Sequence, residues 1–280
     1  RVQLEREGCP HIHGLHLEGP YFAASQAGAQ NPAWLRNPEP EEYEEVLRRT
    51  DRIRRWSFAV ELDGSDRFLQ TLHRHGIITS LAHSDADYAQ VAHAHALGLS
   101  CLTHFYSCMT TVRRKNAYRY AGAIEAGYLM DELYVEAIAD GSHLPAELLR
   151  LIYKVKKPHR ICLVTDSIAA AGLPDGEYSL GGVACIKEDG VAKLLDRSAF
   201  AGSVATTDML VRTFRGLTGA PLADVVRMVS LTPAELLGID RKTGSIKAGK
   251  AADLLVFDED IQIRHISVGG RIEFSELAGN

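Results

Sequence analysis

Side chains able to bind a metal ion or to transfer a proton stand at the ends of five short apolar segments. They are Glu18 after residues 14–17, His83 after 80–82, His104 after 101–103, Asp140 and His143 after 138–139, and Asp166 after 163–165. If these segments are parallel strands, their carboxyl ends open on one mouth and the side chains converge on one pocket. Glu18, His83 and His104 would then form a three-ligand set for a divalent metal, with a position left for water. Asp166, beside that water, would serve as the general base.

Each of these residues also has a purely structural interpretation. A single histidine after a strand is commonly a hydrogen-bonded residue with no catalytic role, and Asp166 alone could cap the following helix. Taken together, those interpretations require five independent coincidences at one end of a sheet. The pattern therefore favours a shared site.

Other polar groups fit a functional site less well. His11 and His13 resemble a metal-binding doublet, but both precede the end of their strand. Histidines within helices or near their ends are expected on the surface: His73, His75, His93 and His95. Glu61 also ends a strand, and its role is open between a supporting acid near the site and a neutral structural carboxyl. The sequence has no glycine-rich phosphate loop opening a helix and no Gly-x-Ser-x-Gly elbow, which disfavours nucleotide binding and serine-nucleophile chemistry.

The elements that must position these residues alternate in type along the chain. Strands are predicted at 57–61, 77–82, 99–103, 134–139 and 161–165, and helices at 40–56, 65–75, 86–97, 145–156 and 206–216. Gly76 and Gly98 fall just after two of the helices, where a C-terminal cap belongs. The 40–56 helix carries glutamates early and arginines late, which suits its dipole and predicts a solvated surface helix. The alternation predicts an α/β fold with a parallel sheet, open or closed into a barrel, and the glycine-punctuated strands after Thr243 predict a small appended β subdomain.

Composition excludes several classes of function. The 280 residues carry 31 Lys and Arg against 36 Asp and Glu, a net charge of −5, which predicts no nucleic-acid partner and no membrane-binding face. No apolar run approaches the ~18 residues of a transmembrane helix, and residues 1–7 are too charged for a signal peptide. Five cysteines without Cys-x-x-Cys spacing disfavour a disulfide scaffold. We therefore expect a soluble, cytoplasmic protein.

Six short segments are recognisable as motifs. They are residues 14–21 (GLHLEGPY), 82–86 (AHSDA), 103–106 (THFY), 139–143 (ADGSH), 163–167 (LVTDS) and 200–203 (FAGS), and residues 231–238 and 244–254 add a C-terminal pattern. In this order, over nearly the whole chain, they resemble the N-acetylglucosamine-6-phosphate deacetylase family of the amidohydrolase superfamily.

That resemblance implies a (β/α)8 barrel of the TIM type with a small β-sandwich subdomain, assembled as a homodimer. It implies that Glu18, His83 and His104 bind one divalent metal ion, zinc first, with iron, cobalt or manganese as alternatives. It also implies that Asp166 is the catalytic aspartate and that His143 contacts substrate. The implied reaction is hydrolysis of the acetamide of N-acetylglucosamine 6-phosphate, a phosphorylated amino sugar, in amino-sugar catabolism.

The chain departs from the family pattern where the sugar is expected to bind. Gln30 stands where the family has histidine, and Ser107 and Cys108 stand where it has asparagine and a small residue. These residues are expected in the substrate pocket, and they leave N-acetylgalactosamine 6-phosphate or another N-acetylated amino sugar as an alternative substrate. Arg114, in the basic run 113–115, is the expected partner of the phosphate, against the alternative of an ordinary solvated loop. An inactive amidohydrolase-like binding protein is the remaining alternative.

Family members begin upstream of the point where this sequence starts, so we expect a barrel that is incomplete at its N-terminus. About six of the eight strands are expected. Residues 1–242 would form the barrel from about its third strand onward, and residues 243–280 the C-terminal strands of the β subdomain. Unpaired strand edges would favour association with another chain.

Overall fold

A computed structural model describes residues 11–277 of the chain. The strands are β1 (Leu15–Glu18), β2 (Ile53–Phe58), β3 (Ile78–Leu81), β4 (Cys101–Leu102), β5 (Arg113–Lys115), β6 (Tyr118–Tyr120), β7 (Tyr134–Ala137), β8 (Ile161–Leu163), β9 (Gly176–Leu180), β10 (Val183–Glu188), β11 (Val191–Leu194), β12 (Leu254–Phe257), β13 (Ile263–Val268) and β14 (Arg271–Ser275). The α-helices are α1 (Pro40–Arg49), α2 (Ser65–Arg74), α3 (Tyr88–Ala96), α4 (Ala123–Leu129), α5 (Ala146–Lys156), α6 (Thr207–Thr218), α7 (Leu222–Val229) and α8 (Leu231–Leu236).

Six strands form one parallel sheet in the order β1-β2-β3-β4-β7-β8. Helices α2 to α5 connect its successive strands from β2 to β8, so the carboxyl ends of the strands lie at one edge. Ser57 on β2 is opposite both Glu18 on β1 and Ser80 on β3, which brings the ends of these strands level. Beyond β8, Ser167 forms an isolated parallel bridge with Ser203. The expectation of six parallel strands is confirmed.

The predicted crossover helices are confirmed to within two residues as α2, α3, α5 and α6. Helix α3 begins with a capping box, in which the Asp87 carboxylate and the Gln90 side chain each accept a hydrogen bond from the other residue's backbone N–H. Gly76 and Gly98 follow α2 and α3 with φ of +67° and +117°. Glycine adopts such left-handed conformations at the lowest cost, which explains why these helices end there.

The predicted helix over 40–56 is wrong in its second half. Helix α1 ends at Arg49, and the following arginines run into β2, which begins at Ile53 rather than at residue 57. Arg55 is not solvated: its side chain is buried inside the sheet and paired with Glu136 on β7. The run of arginines resembles the basic end of a helix, but the buried ion pair between Arg55 and Glu136 holds Arg55 in a strand.

Aromatic side chains fill the core between α1, α2 and the β1–β2 edge of the sheet. The Phe68 ring has centroids of four other rings within about 5 Å, those of Tyr21, Tyr43, Trp56 and Phe58. Trp56 also donates its indole N–H to the carbonyl of Gly19 at 2.9 Å. Because Gly19 directly follows Glu18, this core fixes the end of β1 where the site is built.

Three antiparallel units are added to the sheet. Strands β5 and β6 form an exposed hairpin, β9, β10 and β11 form one three-stranded sheet, and β12, β13 and β14 form another. The strands predicted after Thr243 are confirmed as β12 and β13, with β14 beyond them, whereas β9–β11 were not predicted.

Within residues 11–277, no helix is both long and apolar enough to cross a bilayer. Cys101, Cys108, Cys162 and Cys185 are free thiols, and Cys9 lies outside the described residues.

Candidate active site

Glu18, His83 and His104 meet at the carboxyl edge of the parallel sheet. The Nε2 atoms of His83 and His104 lie 3.0 and 3.1 Å from Oε1 of Glu18. The two imidazole rings meet edge to face, with centroids 4.9 Å apart. Three separate strands thus deliver one carboxylate and two imidazoles to one point.

The residues that follow β3, β4 and β8 at this edge share an unusual backbone conformation. His83, His104 and Asp166 have φ of +47°, +34° and +49°, in the left-handed region that residues other than glycine rarely adopt. Such conformations cost on the order of 1 kcal/mol each and persist only where surrounding contacts fix them. Their concentration at three strand ends is typical of a functional site that requires particular side-chain directions.

The three side chains fit a divalent metal ion. Their ligand atoms all lie within 4.8 Å of one another. The Nδ1–H of His83 donates to the carbonyl oxygen of Gln26 at 2.8 Å, which leaves Nε2, the atom nearest Glu18, as the ligand nitrogen. Two imidazole nitrogens and one carboxylate oxygen are a donor set suited to zinc and to neighbouring divalent metals, with room for a water.

The charges of the set depend on one another. Burial disfavours ionisation of Glu18, but hydrogen bonds from His104 and His83 outweigh it and hold the pKa of this carboxyl well below its usual range. Burial likewise disfavours the charged form of His83, but hydrogen bonds with Cys108 and Glu18 raise its pKa to about 10. The cluster therefore favours positive charge opposite Glu18, which a bound cation would supply.

Asp166 faces the same cavity. Burial raises its pKa to about 6, against the lowering effect of the nearby His104 charge. A carboxylate with such a pKa is ionised near neutral pH and is a stronger base than an exposed aspartate. This environment suits a group that accepts a proton and later returns it.

His143 is oriented by Asp140. Its Nδ1 lies 2.7 Å from Oδ2 of Asp140, whose other oxygen accepts the backbone N–H groups of Ser142 and His143 at 2.9 Å. The Phe200 ring packs on the imidazole, with centroids 4.5 Å apart. Because Nδ1 is engaged, Nε2 is the nitrogen left for a bound molecule.

Glu61 supports the loop that carries His83. Its two carboxylate oxygens accept hydrogen bonds from the Ser84 hydroxyl, at 2.6 Å, and from the backbone N–H of Asp85. Burial raises the pKa of Glu61 despite these hydrogen bonds. Of the two roles left open by the sequence, the supporting acid is the one that fits these contacts.

A buried polar network lies beside the three ligands. Arg55 forms a bidentate ion pair with Glu136 and donates to the Thr103 hydroxyl at 2.8 Å. Ser57 links that hydroxyl, at 2.7 Å, to His16, at 2.6 Å. Thr103 precedes His104, and His16 lies two residues before Glu18, so the network braces the backbone around both ligands.

A cavity of about 620 Å³ opens over this edge. Eight of the nine residues predicted to form the site line it: Glu18, Gln30, His83, His104, Ser107, Cys108, His143 and Asp166. Arg114 is not among the lining residues and lies on the exposed β5–β6 hairpin, where the neighbouring Arg113 binds Asp85 at 3.1 Å. His11 and His13 do not line this cavity either.

The cavity also has walls that were not predicted as site residues, although Phe200 belongs to the motif 200–203. Trp34, Leu180, Gly181 and Phe200 contribute aromatic and apolar surface. Leu180 and Gly181 belong to the end of β9 and the turn after it, in a stretch without a clear pattern. Trp34 is half-exposed and follows an Asn-Pro turn. A large aromatic residue in such a turn is the one sequence signal that could have pointed to this wall.

The sequence of this chain is similar to those of known proteins over almost its whole length. The sequence model of the amidohydrolase family matches residues 6–277. The chain belongs to the amidohydrolase family. The N-acetylglucosamine-6-phosphate deacetylase of Vibrio furnissii is 34% identical over 264 residues, 94% of this chain and 65% of the relative. The N-acetylgalactosamine-6-phosphate deacetylase of Escherichia coli O157:H7 is 33% identical over 262 residues, 93% of this chain and 68% of the relative.

Solved structures of the family share the fold. The N-acetylglucosamine-6-phosphate deacetylase of Thermotoga maritima superposes with a TM-score of 0.87 at 34% identity, covering 94% of this chain and 70% of that one. The Mycobacterium smegmatis enzyme gives 0.87 at 31% identity, covering 93% and 69%. This amidohydrolase chain therefore has an α/β fold of the TIM-barrel type, and it spans about two thirds of the length of these relatives.

Proposed function

We propose that this chain carries the catalytic site of a deacetylase that hydrolyses the acetamide of N-acetylglucosamine 6-phosphate, releasing acetate and glucosamine 6-phosphate. The observation that carries the proposal is the meeting of Glu18, His83 and His104 in one cavity with Asp166 and His143. The names of relatives that are 33–34% identical support the same reaction class.

One divalent metal ion, zinc in the first place and iron, cobalt or manganese as alternatives, would be held by Glu18, His83 and His104. When bound there, such an ion lowers the pKa of water and polarises a carbonyl. The chain's part is to fix the three donor atoms. The contact between His83 and the Gln26 carbonyl serves that purpose by setting the imidazole's orientation.

Asp166 acts as general base and then as general acid. Its carboxylate accepts a proton from the attacking water and then delivers it to the sugar nitrogen as the C–N bond breaks. Its raised pKa matches both tasks, because a more weakly basic carboxylate would accept the proton poorly. A bond forms between the water oxygen and the acetyl carbon, and the amine leaves with the proton that Asp166 returns.

His143 and the cavity walls hold the sugar. With Nδ1 engaged by Asp140, His143 presents Nε2 to the sugar or to the acetamide oxygen. Gln30, Ser107 and Cys108 line the cavity as substrate contacts. Arg114, on the β5–β6 hairpin and outside the cavity lining, remains the proposed partner of the phosphate.

Three finer features belong to the same proposal. The barrel comprises residues 1–242, and residues 243–280 form strands of a small β-sandwich subdomain. The protein works in the cytoplasm as a homodimer. The alternative substrate is N-acetylgalactosamine 6-phosphate, favoured by the 33% identity to a deacetylase of that name; the alternative without catalysis is a binding protein.

Acetate release from a panel of N-acetylated hexosamines, each with and without a 6-phosphate, tests the proposal. We expect turnover of the glucosamine derivative with its phosphate, and a loss of about 10³-fold in kcat for Asp166→Asn. His93→Ala, which alters an exposed histidine on α3, is the control and should match the wild type. Turnover of only the galactosamine derivative would select the alternative substrate. Sugar binding without acetate release from any member would refute the enzyme.

A further inference from the structure

The backbone at Asp166 is held in a conformation that it would not adopt alone. Its φ of +49° is left-handed, and it lies three residues beyond Leu163, the last residue of β8. A non-glycine residue keeps such a conformation only when neighbouring contacts over-determine it. The direction of the Asp166 carboxylate therefore depends on what lies against its peptide groups.

Ser203 makes those contacts. Its backbone N–H donates to the carbonyl of Asp166 at 2.8 Å, and its hydroxyl donates to the carbonyl of Thr165. Its own carbonyl accepts the N–H of Ile168 at 3.0 Å. Ser203 is fully buried, so these hydrogen bonds are shielded from water. One residue thus holds the chain on both sides of Asp166.

Gly202 lets this segment approach. Its φ is +70°, and a Cβ atom there would lie 2.9 Å from the carbonyl oxygen of Asp166 and 2.7 Å from Cγ2 of Ile168. Both distances are shorter than side chains tolerate, and one of the atoms is backbone. Any larger residue must push the Asp166 peptide away.

The same segment touches the rest of the cavity wall. Phe200 packs on the His143 ring, and Ala201 donates its N–H to the carbonyl of Ala192 on β11 at 2.9 Å. Residues 199–205 therefore contact the proposed general base, the proposed substrate histidine and the β9–β11 sheet.

We propose that Gly202 and Ser203 are positioning residues that hold the carboxylate of Asp166 in its working direction. The inference rests on the proposed function in one respect, the role of Asp166 as the general base. It adds two residues that act through the Asp166 backbone: Gly202, which also lines the cavity, and Ser203, which lies behind it.

Gly202→Ala is the decisive variant, and Gly190→Ala is its matched control. Gly190, in the β10–β11 turn, has φ of +75°, but a Cβ there meets nothing within 4 Å. Both variants carry the same backbone strain, and only one presses on Asp166. Because misplacement by about 1 Å can cost 10²-fold, we expect kcat of Gly202→Ala to fall about 100-fold with KM changed less than about threefold. Gly190→Ala should match the wild type in both constants, and all three proteins should bind the same amount of metal.

Ser203→Ala tests the inference by removal rather than by collision. It deletes the hydrogen bond that the hydroxyl donates to Thr165 and the one that it accepts from the Ala205 N–H, without adding volume, so it remains informative if Gly202→Ala does not fold. We expect kcat to fall about tenfold at unchanged KM, with Ser198→Ala, in an exposed turn, as the control. Folded Gly202→Ala or Ser203→Ala with the wild-type kcat would overturn the inference.

Crystal structures separate this inference from the proposed function. If neither the wild type nor Gly190→Ala turns over any sugar, the deacetylase proposal fails, while the position of Asp166 can still be compared. We expect Asp166 in Gly202→Ala to leave its left-handed conformation or to shift its carboxylate by about 1 Å. An Asp166 that superposes on the wild type would overturn the positioning role whatever the activity.

Discussion

Replacing Arg55 alone should destabilise the protein far more than replacing Arg55 and Glu136 together. The two side chains are 8% and 7% exposed and form a bidentate pair, and Arg55 has one further hydrogen bond, to Thr103. Removing one partner leaves a buried charge or a protonated carboxyl without its donor, at a cost of about 3–5 kcal/mol. Replacing both by apolar residues of similar volume is often neutral or stabilising by about 1–4 kcal/mol. Thr103 keeps its hydrogen bond with Ser57 in either case.

The free energy of unfolding should change with pH in opposite directions in the wild type and in Arg55→Met. Burial favours the neutral form of Glu136, but the Arg55 charge prevails and lowers the pKa of this carboxyl. In the wild type, the resulting stabilisation is present above the unfolded-state pKa of 4.5 and is lost as the pH falls. In Arg55→Met the main lowering influence is gone and burial outweighs the weaker charges of His16 and His104, so the pKa of Glu136 rises and this variant loses stability as the pH rises through that raised value. The two proteins should therefore diverge from mildly acidic to neutral pH.

Urea unfolding of the metal-free protein, followed by tryptophan fluorescence at several pH values, measures these differences. Arg55→Met, Glu136→Met and the double variant complete the cycle. Arg264→Met, which removes exposed ion pairs with Asp258 and Glu276, is the control and should cost about 1 kcal/mol or less. The reasoning is refuted if Arg55→Met costs no more than Arg264→Met, or if the double variant is as unstable as Arg55→Met alone.

Three further outcomes follow from the structure. Burial lowers the pKa of Lys156 from 10.5 to about 8, although its ammonium donates a hydrogen bond to the Met130 carbonyl, so the stability of the wild type should rise as the pH rises from 8 to 10.5. In thermal unfolding near neutral pH, Lys156→Met should be about 1–3 kcal/mol more stable than the wild type. Above pH 10.5 this difference should disappear. A Cβ on Gly28 would lie 2.6 Å from Sγ of Cys108 and 3.3 Å from Cε1 of His83. Gly28→Ala should therefore press on both side chains and weaken zinc binding about tenfold in a competition titration, whereas Gly238→Ala, with a similar φ and open space, should not. Chelation should lower the melting temperature and zinc should restore it, because zinc at a hundredfold excess over Kd stabilises the folded chain by about 2.7 kcal/mol. A melting temperature that changes neither with the chelator nor with zinc would contradict a metal site present only in the folded chain.

The residues at the strand ends were accessible from the sequence because chemistry and topology coincide there. Glu18, His83, His104 and Asp166 each follow an apolar run, and parallel strands with helical crossovers bring such positions to one edge. The structure brings these four together as expected. The short-range pattern carried this information, since each polar residue either ends its strand or lies within three residues of the strand's end.

Other features depend on contacts that no local pattern encodes. Arg55 looks like one more arginine at a basic helix end, yet it pairs with Glu136, 81 positions away, and this pairing places it in β2. Leu180 reaches the cavity because the β9–β11 sheet folds back over it, and its sequence carries no strand alternation strong enough to announce that sheet. Asp140 is the intermediate case: its spacing from His143 was visible, but its role in orienting that ring required the 2.7 Å contact.

The metal content of the purified, metal-supplied protein decides whether Glu18, His83 and His104 form a metal site. It should be compared with His83→Ala/His104→Ala and with His93→Ala, which changes an exposed histidine. We expect about one divalent ion per chain in the wild type and in His93→Ala, and almost none in the double variant. A folded wild type without stoichiometric metal, or a double variant that retains it, would contradict the site built from Glu18, His83 and His104.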